Sequence, residues 1–273
     1  MIGLSTATWR YQRRTSETNA AVLAGLQAHA AVRARFGYRR LHILLEREGV
    51  AVNHKRVHRI YQAAGLQVRR RRRKRLTRTE RMPLTAASQR LERWSMDFTA
   101  DTLADGRNFR TLNIVDDFTR ECVALEVDRS LPGLRVTRVL ERLQAAIGLP
   151  QTIVVDNGPE FAGRTLEAWA YAHGVTLRFI RPGKPIENAY VESFNGKFRD
   201  ECLNEHWFVS LADAKAVIEA WRIDYNSVRP HSSLAGRTPE QFAATTEGAR
   251  RLTPARPDHK HQDRKPEDLT LSP

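Results

Sequence analysis

At 273 residues and a net charge of +14, the chain is long enough for one sizeable domain plus a smaller module, and basic enough to attract a polyanion. Its two cysteines, Cys122 and Cys202, form no close pair, which excludes a disulfide framework and a zinc ribbon. No apolar run is long enough to span a bilayer and Met1 to Gln12 carries no signal-peptide core, so a soluble cytoplasmic protein with no membrane contact is expected.

From Glu17 to Phe36 the apolar residues Val22, Leu23, Leu26, Ala30 and Val32 roughly follow a helical period. Tyr38 to Glu48 predicts a second helix, with Leu41, Leu44 and Leu45 on one side and Gly49 as its stop. Asn53 caps a third, Lys55 to Ala64, with Val57, Ile60 and Tyr61 inward. Its outward residues Lys55, Arg56, His58, Arg59 and Gln62 are the types that reach phosphates and base edges from a recognition helix; a basic bundle with solvated charges is the other reading. His54 and His58 lack a partner pair at zinc-finger spacing and read as part of a polar face. Arg69, Arg70, Arg71, Arg72, Arg73, Lys74 and Arg75 then form an unbroken basic run. Self-repulsion argues against packing there, and for an arm that contacts nucleic-acid phosphates.

From Leu91 the pattern changes. Trp94 to Ala100, Asn108 to Asp116 and Glu121 to Val127 predict three strands. Leu134 to Ile147 is a helix with Val136, Val139, Leu140, Leu143 and Ile147 inward, closed by Gly148. Thr152 to Val155 is apolar enough for a strand covered on both faces; a helix from Leu166 to His173 and a fifth strand from Val175 to Ile180 follow. This order describes an α/β fold of the ribonuclease-H-like class, although periodicity alone admits other α/β sheets. After Gly248 the chain is Pro-rich and charged, which predicts disorder. The expected organisation is a helical module over 1–66, a basic linker over 67–90, the α/β core with a C-terminal helix over 91–245 and a disordered tail over 246–273.

Three carboxylates stand out. Asp97 sits mid-strand between Met96 and Phe98, where an unpaired carboxylate is costly unless it meets a metal or a strong partner. Asp156 ends the Thr152 to Val155 strand, the place where open α/β sheets put functional groups, and Asn157-Gly158 supplies a sharp turn. On a helix from Glu187 to Leu203, Asn188, Glu192, Asn195 and Arg199 form a polar stripe, and Tyr190, Val191, Phe194, Phe198 and Cys202 an apolar one. Singly these read as an edge-strand aspartate, a plain turn and a solvent-facing glutamate. Together they suit a site for two divalent ions that carries out phosphoryl transfer on nucleic acid.

With Arg199 two helical turns after Glu192, these residues resemble the integrase-type core of retroviral integrases and bacterial insertion-sequence transposases. Phe36-Gly37-Tyr38-Arg39-Arg40 upstream, and Tyr225-Asn226-Ser227-Val228-Arg229-Pro230-His231-Ser232-Ser233-Leu234 with Thr238-Pro239-Glu240 downstream, narrow the resemblance to the OrfB transposases of IS-three type insertion sequences. It covers about residues 30 to 243. The resemblance implies a DDE transposase with a helix-turn-helix module before the core. Asp97 would bridge two Mg²⁺ (or Mn²⁺), with Asp156 and Glu192 completing one each. It further implies double-stranded DNA as partner, at element ends and target, a dimer or higher oligomer on that DNA, a bacterial nucleoid location, and an OrfA partner or fusion. Lys184, Lys197 and Arg199 become candidates to hold phosphates near the ions, and Asn188 and Asn195 to hydrogen-bond DNA or the carboxylates. Two rivals remain at this point: a structure-selective nuclease of the same fold that never joins strands, and a domesticated DNA-binding regulator. Tyr225 to Leu234 reads as a turn that packs the last helix, with Tyr225 as a covalent nucleophile the weaker alternative.

Overall fold

The computed structural model describes residues 17–68, 86–158, 160–181 and 188–252. The basic run from Arg69 to Arg75, Lys184 and residues 253–273 lie outside the described residues. Three helices open the described chain: α1 (Glu17–Val32), α2 (Tyr38–Arg47) and α3 (His54–Ala63). They share one core of Val22, Leu26, Phe36, Leu41, Leu44, Leu45, Val57 and Tyr61. Asn53 caps α3 by accepting the Lys55 backbone N–H, and α2 runs out into Gly49 at φ +85°, a conformation that a side chain would resist. The first helix stops at Val32, short of the expected Phe36. Val32 is 75% exposed while Phe36 turns back into the core, in a turn closed by the Phe36 N–H donating to Arg33 O.

The second unit is a five-stranded sheet of β1 (Arg93–Thr102), β2 (Asn108–Asp116), β3 (Cys122–Asp128), β4 (Thr152–Val155) and β5 (Thr176–Phe179), in the order β3-β2-β1-β4-β5. The β1–β2 and β2–β3 pairs are antiparallel, and β1–β4 and β4–β5 parallel. Crossovers through α4 (Gly133–Ile147) and α5 (Arg164–Ala172) bury Val136, Leu140, Leu166 and Trp169 against Trp94, Met96, Ile114, Ile153 and Val155. On the other face, α6 (Ala189–Glu201) and α7 (Leu211–Ser227) bring Val191, Phe194, Phe198, Ile218 and Tyr225 against Phe109, Val115 and Val127. Helices on both faces explain why Ile153, Val154 and Val155 of β4 are all apolar and buried. This is the ribonuclease-H-like arrangement anticipated from the strand and helix order.

A last helix, α8 (Pro239–Leu252), continues past residue 245, where composition placed the end of the core. Ala249, Arg250, Arg251 and Leu252 are good helix formers, and their charge reads as disorder only when propensity is ignored. Tyr225 is buried edge-on against Phe194 and His231, and burial pushes its phenol up. A protonated, sealed phenol is no nucleophile, so the packing reading of this motif holds. Among the described residues no helix is long and apolar enough to cross a membrane.

Candidate active site

Register places the first two carboxylates. In the parallel β1–β4 pair the last matched residues are Ser95 and Val154. Two residues on in each chain come Asp97 and Asp156, so both project from neighbouring strands, about 4.8 Å apart, onto the face that α6 covers. Asp156 leaves β4 into a turn in which the Gly158 N–H donates to its Oδ1 at 2.9 Å. A Cβ on Gly158 would come within 2.9 Å of that same oxygen, so a larger residue there would push the Asp156 carboxylate out of this position. The Asn157 side-chain amide donates to Ile180 O at 2.8 Å and ties the loop to the end of β5.

The third carboxylate, Glu192, is exposed on the first turn of α6, and partial burial raises its pKa. That helix is held at several points. Tyr190 lies under the guanidinium of Arg120 at 3.9 Å and beside that of Arg93 at 5.7 Å. Val191, Phe194 and Phe198 are buried in the core. Asn195 donates to Asp97 Oδ2 at 2.7 Å and accepts from Asn113 at 2.7 Å, and Asn113 in turn accepts from the Thr111 hydroxyl and donates to that of Thr99. Asp97 therefore rests on a chain of neutral polar groups. Burial pushes its pKa up to about 6; the Phe98 N–H opposes this, the charges of Asp156 and Glu192 add to it, and Asn195 opposes it again. The carboxylates thus sense one another electrostatically.

Hard carboxylate oxygens are the donor set that Mg²⁺ and Mn²⁺ take. The hydrogen bonds that Asp97 accepts come from the neutral Phe98 N–H and Asn195 amide, so a cation would supply the missing counter-charge. Among the described residues no three acidic, histidine or cysteine side chains stand close enough to hold one ion.

Several residues singled out in the sequence sit elsewhere. Asn188 precedes α6, buried, with its amide donating to Met96 O at 3.2 Å, and so fastens the helix to β1. Lys197 is half-buried, donating to Ser193 Oγ at 3.0 Å. Burial, then the nearby Arg229, push its pKa down to about 8, and Glu201 and Arg40 also face it. At 100° per residue it points away from Asn195, towards the helical module. Arg56 is half-buried and donates to Asn19 of α1 at 2.7 Å, so α3 presents Lys55 and Arg59 but not Arg56. His58 packs its ring against Tyr38 at 4.5 Å. Arg199 is exposed, its guanidinium 3.4 Å from Ala100 O on the strand that carries Asp97.

Sequence reasoning passed over Asp116 and Asp117, both buried. Asp116 accepts the backbone N–H groups of Leu91, Phe118 and Thr119, and the indole of Trp94. Asp117 takes Arg93 and Ser95. Their oxygens are spent on the fold, and through Arg93 the second pair braces Tyr190 and hence α6. Glu160, three residues beyond Asn157, pairs with Arg110, whose guanidinium lies 4.6 Å over Phe98. The Asp-Asp pair after a strand was the available signal.

Comparison with known proteins gives matches along most of the chain. The HTH-like domain family matches residues 25–74, and the Integrase core domain families match 87–185 and 173–239. An uncharacterized 31.7 kDa protein of insertion element IS407 from Burkholderia multivorans is 52% identical over 89% of this chain and 88% of its own length. A 39.2 kDa protein of insertion element IS476 from Xanthomonas euvesicatoria is 47% identical over 94% of this chain and 75% of its own. Among solved structures, a chain of the simian T-cell lymphotropic virus intasome, in complex with PP2A regulatory subunit B56 gamma, aligns with a TM-score of 0.53 at 14% identity. That alignment covers 91% of this chain and 80% of that one, and shows a shared fold.

Proposed function

The chain belongs to the insertion-element transposases that carry an HTH-like domain ahead of an integrase core, and from that premise we propose that Asp97, Asp156 and Glu192 are its catalytic and metal-holding carboxylates. The enzyme is a DDE transposase, a polynucleotidyl transferase of DNA transposition and integration. The observation that supports the residue assignment is the parallel β1–β4 register, which pairs Ser95 with Val154 two residues before Asp97 and Asp156, with Glu192 on the first turn of α6.

Asp97 is the central ligand in this reading, with Asp156 and Glu192 on either side and Glu192 turning inward on the first turn of α6. Two Mg²⁺ or Mn²⁺ ions held there would supply Lewis acidity and neutralise charge on the phosphodiester. Asn195 keeps Asp97 oriented, and the hydrogen-bonded turn at Gly158 does the same for Asp156. The chemistry is in-line displacement at phosphorus. Water attacks the phosphodiester at the element end and the bond to the 3′-oxygen breaks; the freed 3′-hydroxyl then attacks a target phosphodiester, whose own bond to its 3′-oxygen breaks and leaves a 3′-hydroxyl on the target strand. Arg199, beside the strand carrying Asp97, binds phosphates near the carboxylates, and Lys184 is a further phosphate ligand. Lys55 and Arg59 on α3 hold the DNA farther out, and the run from Arg69 to Arg75 adds phosphate contacts. Residues 1–66 form the DNA-binding module, 67–90 the basic arm, and the catalytic core begins at 91. The enzyme works in the bacterial nucleoid on double-stranded DNA, as a dimer or larger assembly, with an OrfA segment contributing to end recognition.

Oligonucleotides carrying the element ends, incubated with Mg²⁺ or Mn²⁺, test the reading. Asp97→Asn, Asp156→Asn and Glu192→Gln should each abolish cutting and joining while leaving DNA affinity within a few fold. Strand joining by any of the three would remove that residue from the site. Hydrolysis without joining by the wild type would identify a nuclease instead.

A further inference from the structure

Two motifs remain outside the catalytic pocket, Phe36 to Arg40 and Tyr225 to Leu234, and they meet each other. The module contributes Arg33 and Arg35, just after α1, and Arg40 on α2. The core contributes Asp200 and Glu201 at the end of α6, Glu205 in the short turn that follows, and Asp224 on α7. Arg33 pairs with Asp224 and Arg35 with Asp200, Arg35 also lies 3.7 Å from Glu205, and Arg40 donates to Glu201 at 2.9 Å. Glu201 takes a second, two-pronged bond from Arg229 at 2.6 Å on each oxygen, and Arg229 is 1% exposed. The Phe36 ring lies among these guanidinium groups, 5.1 Å from that of Arg40 and 5.9 Å from that of Arg229. On the other side of the contact, Arg47 donates to Val228 O at 2.6 Å and to Gly236 O at 3.1 Å. Gly236 comes so near α2 that an added Cβ would stand 3.0 Å from Ile43.

In these four pairs the arginine belongs to the module and the acid to the core. We infer that this joint seats the DNA-binding module on the last turns of the helix that carries Glu192, so that Arg33, Arg35, Arg40, Asp200 and Asp224 are positioning residues for which phosphodiester is cut. The inference rests on the proposed roles of α3 and the carboxylates. A tether alone does not fix the span between them, because residues 67–90 fully extended reach roughly 80 Å. Successive phosphates of a strand are about 3.4 Å apart along the helix axis, so a free tether permits many registers. A packed, ion-paired joint permits one. Arginines engaged this way are also withdrawn from DNA phosphates, which separates the joint from an ordinary basic binding surface.

Glu201 and Arg229 are buried together and their loss risks unfolding, so the rim pairs serve as probes: Arg33→Asp with Asp224→Arg, and Arg35→Glu with Asp200→Arg. Cys122 and Cys202 are both buried, which allows spin labels at Ala63→Cys on α3 and Tyr171→Cys on α5, both exposed positions. Without DNA, the distance distribution between the labels should be narrow in the otherwise native protein, broad in each single charge reversal, and narrow again in each swapped pair. On element-end DNA the single reversals should spread cleavage over several neighbouring phosphodiesters, and the swaps should restore one. The salt slope of binding should not change. A narrow distribution in the single variants overturns the joint, as does cleavage at one unshifted position. A fall of about 0.9 in the salt slope for each arginine lost would make these residues phosphate contacts and overturn it too. Absence of cutting by the wild-type protein would instead sink the catalytic reading, and the distance distributions would still decide the joint.

Discussion

Asp97 occupies a position that is unfavourable for a charge, and this has a measurable cost in the metal-free protein. Its carboxyl ionises near its ordinary value of 3.8 when unfolded and at about 6 when folded. Between those values the folded state binds the extra proton, so stability falls as pH rises from about 4 through 6, by up to about 3 kcal/mol. Asp97→Asn removes the penalty. In chelator at pH 7 it should melt above the wild type, near pH 4 the two should converge, and it should neither cut nor join DNA. Mg²⁺ should raise the melting temperature of the wild type and not that of this variant. Parallel melting curves for the two proteins across that pH range would contradict the assignment of Asp97 as the desolvated ligand. Asn195 acts one step back. Asn195→Ala frees Asp97 to rotate and leaves the Asn113 amide short of an acceptor, which costs about 1–3 kcal/mol. Groups that orient metal ligands are worth about 10- to 100-fold, so its turnover should fall by that factor, while filter-binding affinity for DNA stays at the wild-type value.

At the scale of elements, α6 determines the site, because the strands deliver two carboxylates and only this helix can bring the third. Its first turn is fixed by Tyr190 against Arg93 and Arg120, a contact that contributes about 0.5–2 kcal/mol when partly desolvated. Tyr190→Phe keeps the ring and should behave as wild type. Tyr190→Ala should lower joining at least tenfold while costing only about 2 kcal/mol in denaturant unfolding, and equal effects of the two changes would rule out the ring as the anchor. The strands and the spacing of the carboxylates were legible in the sequence because period-two runs and end glycines such as Gly148 are local signals. The surroundings of Asn188 and Lys197 were not legible because a helical wheel separates faces without saying what lies against each one. Lys197 looked like a phosphate ligand on α6, yet its face meets Arg229 and Arg40 from distant parts of the chain. Arg56 was drawn away from the outer face of α3 by Asn19 on another helix. Asp116 and Asp117 went unnoticed for the same reason, since their partners Leu91, Arg93 and Ser95 come from another part of the chain.

For the molecule as a whole, a net charge of +14 sets a long-range attraction to DNA, but only charges that reach phosphates displace counterions. Each such contact contributes about 0.9 to the slope of log affinity against log salt. Lys55 and Arg59 are exposed on α3, so the double variant Lys55→Ala, Arg59→Ala should lower the slope by about 1.8. Lys197→Ala removes the same formal charge as either single change, yet Lys197 is half-buried and faces the module. Its slope should match the wild type. If net charge alone governed binding, all three neutralisations would lower the slope in proportion to the charge removed. Titrations of one DNA duplex at several salt concentrations compare the two outcomes directly. A slope for Lys197→Ala reduced by about 0.9 would return that residue to the DNA surface and require the module to move off the core when DNA binds.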